Sequence, residues 1–93
     1  MDGAFAYGPM TYTVYILKSD RDGSFYVGHT AGLGERVRRH NQGRSRYTKA
    51  KIPWRVVYQE EYLTRSQAIE REQELKDKKS RAYIEQLVRA SRV

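Results

Sequence analysis

From Tyr12 to Lys18 most side chains are β-branched or aromatic and they alternate along the chain, the period of two that a half-buried strand requires. Phe25 to Thr30 has the same character. The polar stretch between them, Ser19-Asp20-Arg21-Asp22-Gly23-Ser24, predicts a hairpin turn. If Lys18 faces Phe25 across that turn, Leu17 faces Tyr26 and Tyr15 faces Gly28, which puts both tyrosines on one face of the sheet. A slip of one residue would separate them onto opposite faces. In the expected register Gly28 leaves space above the pleat for a water or a phosphate.

The period then lengthens. Leu33 to Gln42 reads as a helix stopped by Gly43, with Leu33 and Val37 on its buried stripe. At about 100° per residue, Arg36 and His40 fall on one border of that stripe, while Arg38 and Arg39 point elsewhere and Glu35 points to solvent. A polar, basic connection from Arg44 to Ile52 leads through Pro53 to a third strand, Trp54 to Tyr62. Thr64-Arg65-Ser66-Gln67 is a capping box opening a helix that runs to about Lys78. On it Ala68, Ile69 and Leu75 mark the inward face, Glu72 falls between them, and Glu70 and Glu74 lie outward. Ser80 is placed to cap a last amphipathic helix carrying Tyr83, Ile84, Leu87 and Val88. The class is therefore α+β, with three or more helices around the strands.

Ninety-three residues make one domain with a thin core. Residues 1–10 lack a clear period and read as a flexible leader, so the domain is taken as 11–93. Without cysteine there is neither a disulfide nor a thiolate zinc site. No signal-peptide pattern or long apolar run is present, which makes a cytoplasmic protein without membrane attachment the default. Lys and Arg number 18 against 11 Asp and Glu, a net charge of +7 that favours a polyanionic partner. The excess is concentrated: Arg36, Arg38, Arg39, Arg44, Arg46, Lys49, Lys51 and Arg55 occur with no acid among them. Tyr47 and Trp54 are interleaved, a mixture suited to phosphate contacts with base stacking. A second basic group, Lys76, Lys78, Lys79 and Arg81, is offset by Glu72, Glu74 and Asp77 and reads as a solvated helix end.

The polar residues that point inward suit phosphodiester hydrolysis, which needs an activated water and positive charge for the pentavalent phosphorane. A carboxylate in an apolar stripe needs a cation, either a metal ion or an arginine such as Arg36. Glu72 is the candidate ligand of one Mg2+ or Mn2+ ion, which is content with a single carboxylate and waters. Arg36 can fork onto the scissile phosphate. Tyr15 is the candidate general base or water-orienting group, its phenolate made easier to reach by Arg36 and the cation. Tyr26 is expected to hold a water or phosphate oxygen, and His40 to accept or steer the proton. His29 is expected to be a strand residue near the site and no ligand. Each residue alone has a plainer role: strand packing for the tyrosines and surface charge for Arg36.

Taken together, Thr13-Val14-Tyr15, Tyr26-Val27-Gly28, Arg36 eight residues later, His40 four beyond that, and Glu72 within Arg71-Glu72-Gln73-Glu74-Leu75-Lys76 resemble the GIY-YIG endonuclease family, in its small single-domain branch. The resemblance covers about Tyr12 to Lys79, and the first motif's glycine is Thr13 here. It implies a small three-stranded antiparallel sheet flanked by helices, and one site built from Tyr15, Tyr26, Arg36, His40 and Glu72. It also implies DNA cleavage with one divalent ion.

The reading is thus a divalent-metal-dependent DNA endonuclease, with Arg38, Arg39, Arg44, Arg46, Lys49 and Lys51 tracking the phosphate backbone. With few base-reading elements, branched, flap or single-stranded DNA is the expected substrate in preference to a specific duplex sequence. A targeting protein is a possible partner, and DNA repair a natural setting. The alternatives are a non-catalytic nucleic-acid-binding module on the same scaffold and an adaptor for an acidic protein.

Overall fold

The computed structural model describes residues 11–78 and 81–91. Strands β1 (Tyr12–Ser19), β2 (Phe25–Thr30) and β3 (Trp54–Tyr62) form an antiparallel sheet in the order β2-β1-β3. Helices α1 (Leu33–Asn41), α2 (Arg65–Lys78) and α3 (Arg81–Ala90) flank it, with a short 3-10 turn at Lys49–Lys51. The expected α+β class is what the structure shows. The proposed leader, residues 1–10, and the proposed cap Ser80 lie outside the described residues. No helix among the described residues is long and apolar enough to cross a membrane.

Register follows the expectation pair by pair: Lys18 faces Phe25, Leu17 faces Tyr26 and Tyr15 faces Gly28. The turn is held by Gly23 at φ +77° and by Ser19, whose Oγ accepts the Arg21 and Asp22 amides. α1 ends at Gly43, whose φ of +76° lies where a side chain is strained. The capping box forms in both directions, the Gln67 amide donating to Thr64 Oγ1 and the Thr64 amide to Gln67 Oε1.

The alternation of side chains divides the core in two. Val14 and Ile16 turn to one face, where Ala68, Leu75 and Ile84 of α2 and α3 cover them. Tyr15 and Leu17 turn to the other, packing with Trp54 and partly buried Tyr26, Leu33 and Val37. β3 serves both faces through an irregularity that the sequence pattern did not reveal. Leu17 pairs with Val56 but Ile16 pairs with Tyr58, so Val57 is an extra residue. The bulge reverses the alternation, and Trp54 and Val56 lie under α1 while Tyr58 and Tyr62 lie under α2 and α3.

Three expectations are corrected. Trp54 is 4% exposed and its indole N–H donates to the Thr48 carbonyl, so it is a core residue and no stacking platform. Ile69 is 48% exposed, because about 100° of rotation from Ala68 carries it off the buried stripe. The space above Gly28 is taken by the Tyr15 ring: a Cβ there would sit 2.7 Å from Tyr15 Oη and 2.8 Å from its Cζ.

That contact gives a stability prediction. Glycine to alanine within a strand ordinarily gains roughly 0.5–1 kcal/mol through backbone entropy. Here the added methyl must displace a fully buried ring, so Gly28→Ala should cost about 1–3 kcal/mol in urea denaturation. Combined with Tyr15→Ala it should cost less than the sum of the two single changes; additive costs would show that ring and glycine are not in contact.

Candidate active site at the β2 edge

β2 is an edge strand, and the site forms where the two faces of the sheet meet across it. Tyr15 and Tyr26 come from the α1 face, their ring centroids 6.4 Å apart. His29, paired with Val14, projects from the opposite face. Because Gly28 has no side chain, the Tyr15 ring can lie across β2 and reach the border between them. Arg36 from α1 and Glu72 from α2 complete a concavity of about 140 Å³ lined by Tyr15, Tyr26, Gly28, His29, Arg36 and Glu72. A larger hollow of about 560 Å³, beside Tyr62 and the Glu70, Glu74 and Asp77 flank of α2, contains none of the expected site residues. Size does not locate the chemistry here.

The phenol at the floor has no exposed surface, and burial first, then Tyr26, pushes its pKa up to about 12. Arg36 pulls in the other direction but does not prevail. Of the two influences expected to favour the phenolate, Arg36 and a cation, the guanidinium alone is outweighed by desolvation of the anion. Tyr15 is a neutral hydroxyl, 3.3 Å from His40 Nε2. His40 is itself 2% exposed, and its Nδ1 lies 2.8 Å from the Oγ1 of fully buried Thr48. Burial first, with Arg36 and Arg39 adding to it, holds the imidazole below its ordinary pKa of 6.5 and keeps it neutral. Tyr15, His40 and Thr48 thus form one chain of hydroxyl, imidazole and hydroxyl. Tyr26 packs its ring on His40 at 5.0 Å and on Trp54 at 6.3 Å.

Glu72 is half-buried, as its position in the apolar stripe required, yet its partner is not Arg36. His29 Nδ1 lies 2.5 Å from Oε1, and Lys76 Nζ holds Oε2. Burial alone would raise this carboxylate, but the hydrogen bonds from Lys76 and His29 outweigh it and hold Glu72 below the usual range, hence anionic. Arg65 Nη1 approaches His29 Nε2 at 3.4 Å. An arginine can only donate, so in this arrangement Nε2 accepts and Nδ1 carries the proton given to Glu72.

Of the expected phosphate-tracking residues, Arg39 and Arg44 line an adjoining hollow of about 260 Å³ with Tyr26, Arg36, His40 and Ser45. Arg38 pairs with Glu35 instead, and Lys51 turns to Ser24 and Asp22 at the hairpin. Arg46 and Lys49 are exposed on the connection and line neither hollow, and Tyr47 beside them is 83% exposed. Sequence reasoning gave no site role to Thr48, Arg65 or Lys76, and placed His29 near the site without linking it to Glu72. Lys76 was accessible as the i+4 partner of Glu72, and strand alternation put His29 on the α2 side. Nothing in the pattern marked Thr48, whose contact spans a loop.

Among the described residues no group of three or more His, Cys, Asp or Glu could cage a metal ion. Mg2+ and Mn2+ do not require one, since Mg2+ keeps several waters and takes one or two carboxylates. Glu72 is anionic, borders the concavity, and has lone pairs beyond the two that His29 and Lys76 occupy. The residues present therefore fit a single hard, hydrated cation.

Comparison with known proteins identifies the family. Residues 11–85 match the family model of the GIY-YIG catalytic domain. UPF0213 proteins of Staphylococcus aureus strains Mu3 and Mu50 are each 45% identical over 67 residues, spanning 71% of this chain and 80% of theirs. The solution NMR structure of a UPF0213 protein from Bacillus halodurans superposes with a TM-score of 0.55 at 35% identity, covering 87% of this chain and 85% of that one. The paired tyrosines on one sheet face, with the arginine and the glutamate converging on them, accord with that match over most of the length, and this chain belongs to the GIY-YIG family.

Proposed function

We propose that residues 11–93 act as one divalent-metal-dependent DNA endonuclease domain that selects DNA structure, such as branches, flaps or single strands, over base sequence. The nuclease-type chemistry rests on the family. The observation that carries the finer reading is the convergence of Tyr15, Tyr26, Arg36 and Glu72 on one small concavity bordered by unpaired arginines.

Glu72 is the residue to hold one Mg2+ or Mn2+ ion, which when bound supplies positive charge at the phosphate oxygens. Arg36 grips the scissile phosphate through its planar fork and stabilises the charge that grows on it. Tyr26 offers a hydroxyl to a phosphate oxygen or to the attacking water. Tyr15 takes the proton of that water while its own proton passes to Nε2 of neutral His40, so a free phenolate is never formed. Thr48 holds the far side of the imidazole and fixes its plane. Arg39 and Arg44 lead the strand toward the site, and exposed Tyr47 can stack a base. Binding without turnover is the second reading, favoured by one observation: both oxygens of Glu72 already have cationic or N–H partners.

Two outcomes test this. Glu72→Gln should reduce Mg2+- or Mn2+-dependent cleavage of labelled flap, branched or single-stranded DNA by about 100-fold or more, with affinity in chelator changed less than about threefold. Cleavage at the parent rate would remove Glu72 from the mechanism, and an absence of any metal-dependent product from the parent would leave the binding reading standing.

The proton relay sets the pH dependence. His40 must be neutral to accept, and its pKa is depressed, so activity is present above about 6.5 and is lost as the pH falls through the lowered value. The rate should therefore be flat from about pH 7 to 9. A reaction that needed free phenolate would instead climb about tenfold per pH unit toward the Tyr15 pKa of about 12.

A further inference from the structure

Beside the hydrolytic concavity, and sharing His29 and Arg36 with it, lies a cavity of about 360 Å³ whose wall also carries Arg39, Arg65 and the start of α1 at Gly32. Many cations of the described residues are already neutralised by a neighbour. Arg38, Lys51, Arg55, Arg71, Lys76 and Arg81 each meet a carboxylate. Arg36, Arg39 and Arg65 form no ion pair among the described residues. The one acid in the wall, Glu35, is turned to Arg38. Three guanidiniums around one hollow repel each other unless an anion joins them, and a phosphodiester matches their forks.

Arg65 is also held in place. Its guanidinium carbon lies 4.8 Å from the centroid of the Tyr12 ring and its Nη1 approaches His29 Nε2. The contact over the ring restrains the guanidinium and leaves further N–H groups for a ligand. Helix α1 begins at Gly32 without a side-chain cap, so its first amides add positive potential to the same wall.

We propose that Arg65, with Arg36 and Arg39, forms a second phosphate pocket, which takes the phosphodiester next to the one held at the hydrolytic concavity. The two hollows share a wall, so neighbouring phosphates of one strand fill both, and the grip sets which bond comes before Glu72. Through His29, Arg65 also connects the second phosphate to the carboxylate that orients the ion. The inference rests on the nucleic-acid reading above but not on turnover.

The test is binding of a 12-nucleotide single-stranded DNA in chelator, titrated over salt, for the parent, Arg65→Gln and Arg89→Gln. Arg89 lies exposed in the last turn of α3, so its change removes the same charge away from the pocket. Glutamine removes the guanidinium from Tyr12 as well as the charge, so thermal melting checks that the fold is kept. Arg65→Gln should weaken binding about tenfold and lower the salt slope by roughly 0.7, the loss of one phosphate contact; Arg89→Gln should change affinity less than about twofold. Equal losses in the two variants, an unchanged Arg65→Gln, or no binding by the parent would overturn the pocket. Because no cleavage is read, failure of the nuclease reading in the Glu72→Gln assay remains a separate result.

Discussion

A missing methyl group organises this site. With no Cβ at Gly28, the ring of Tyr15 crosses the edge strand at a distance no side chain there would permit. Without that crossing the phenol would stay over β1, under α1, and the carboxylate on α2 would lie on the far side of the sheet. The sheet otherwise separates its faces completely: Tyr15, Leu17 and Trp54 belong to one core, and Val14, Ile16 and Leu75 to the other. Chemistry that needs groups from both sides has to be done at an edge. The crossing has an electrostatic consequence as well. A ring packed this tightly is dry, and the same burial raises its phenol and depresses the neighbouring imidazole. One group keeps its proton and the other is ready to take one, which is the pairing a concerted transfer requires.

The placement of Glu72 depends on how α2 is held against rotation. Taking Ala68 as zero, Leu75 lies about 20° and Arg71 about 60° to one side, and Glu72 about 40° to the other side. The helix thus carries a cation and an anion on opposite flanks of its apolar stripe. Arg71 forks onto Glu60 of β3, Nε to Oε1 at 3.0 Å and Nη2 to Oε2 at 3.0 Å. The Tyr58 and Tyr62 hydroxyls also donate to Glu60, so this partly buried carboxylate is satisfied on both oxygens. On the other flank Glu72 meets His29 of β2. Adjacent residues pin the helix to the two edge strands, and the β3 bulge makes this possible by turning Tyr58, Glu60 and Tyr62 to the α2 side. The fold elements farthest from the concavity therefore fix the acid within it.

Much of this was legible in the residues because local rules were sufficient. Hairpin register followed from the turn and the alternation, and Glu72 followed from helical angle alone. Three things were not legible, and they share a cause. The β3 bulge, the Tyr15 ring over Gly28 and the His40–Thr48 contact are settled by packing between segments distant in sequence. The weight given to Arg36 in the Tyr15 expectation was too large for a related reason. That expectation weighed Arg36, visible in the motif, without the desolvation that only a finished core imposes. Trp54 was misassigned because its basic neighbours suggested a nucleic-acid surface, whereas the strand's alternation already allowed a buried position.

The net charge of +7 is less informative than where its unpaired part lies. Most ion pairs among the described residues are local, i to i+3 or i+4, or tie the hairpin turn to Lys51 and Arg55, and they neutralise those surfaces. Of the arginines outside those pairs, Arg36, Arg39, Arg44 and Arg65 line joined hollows at the β2 edge. On the β3 flank of α2 the balance has the other sign, with Glu70, Glu74 and Asp77 around the largest hollow. A polyanion approaching this molecule meets unpaired arginines at one edge and an acidic margin at the other. Such a field orients an encounter before any contact forms. Arg36 stands in all three hollows at that edge, so a single guanidinium on α1 joins the concavity beside Glu72 to the basic hollows around it.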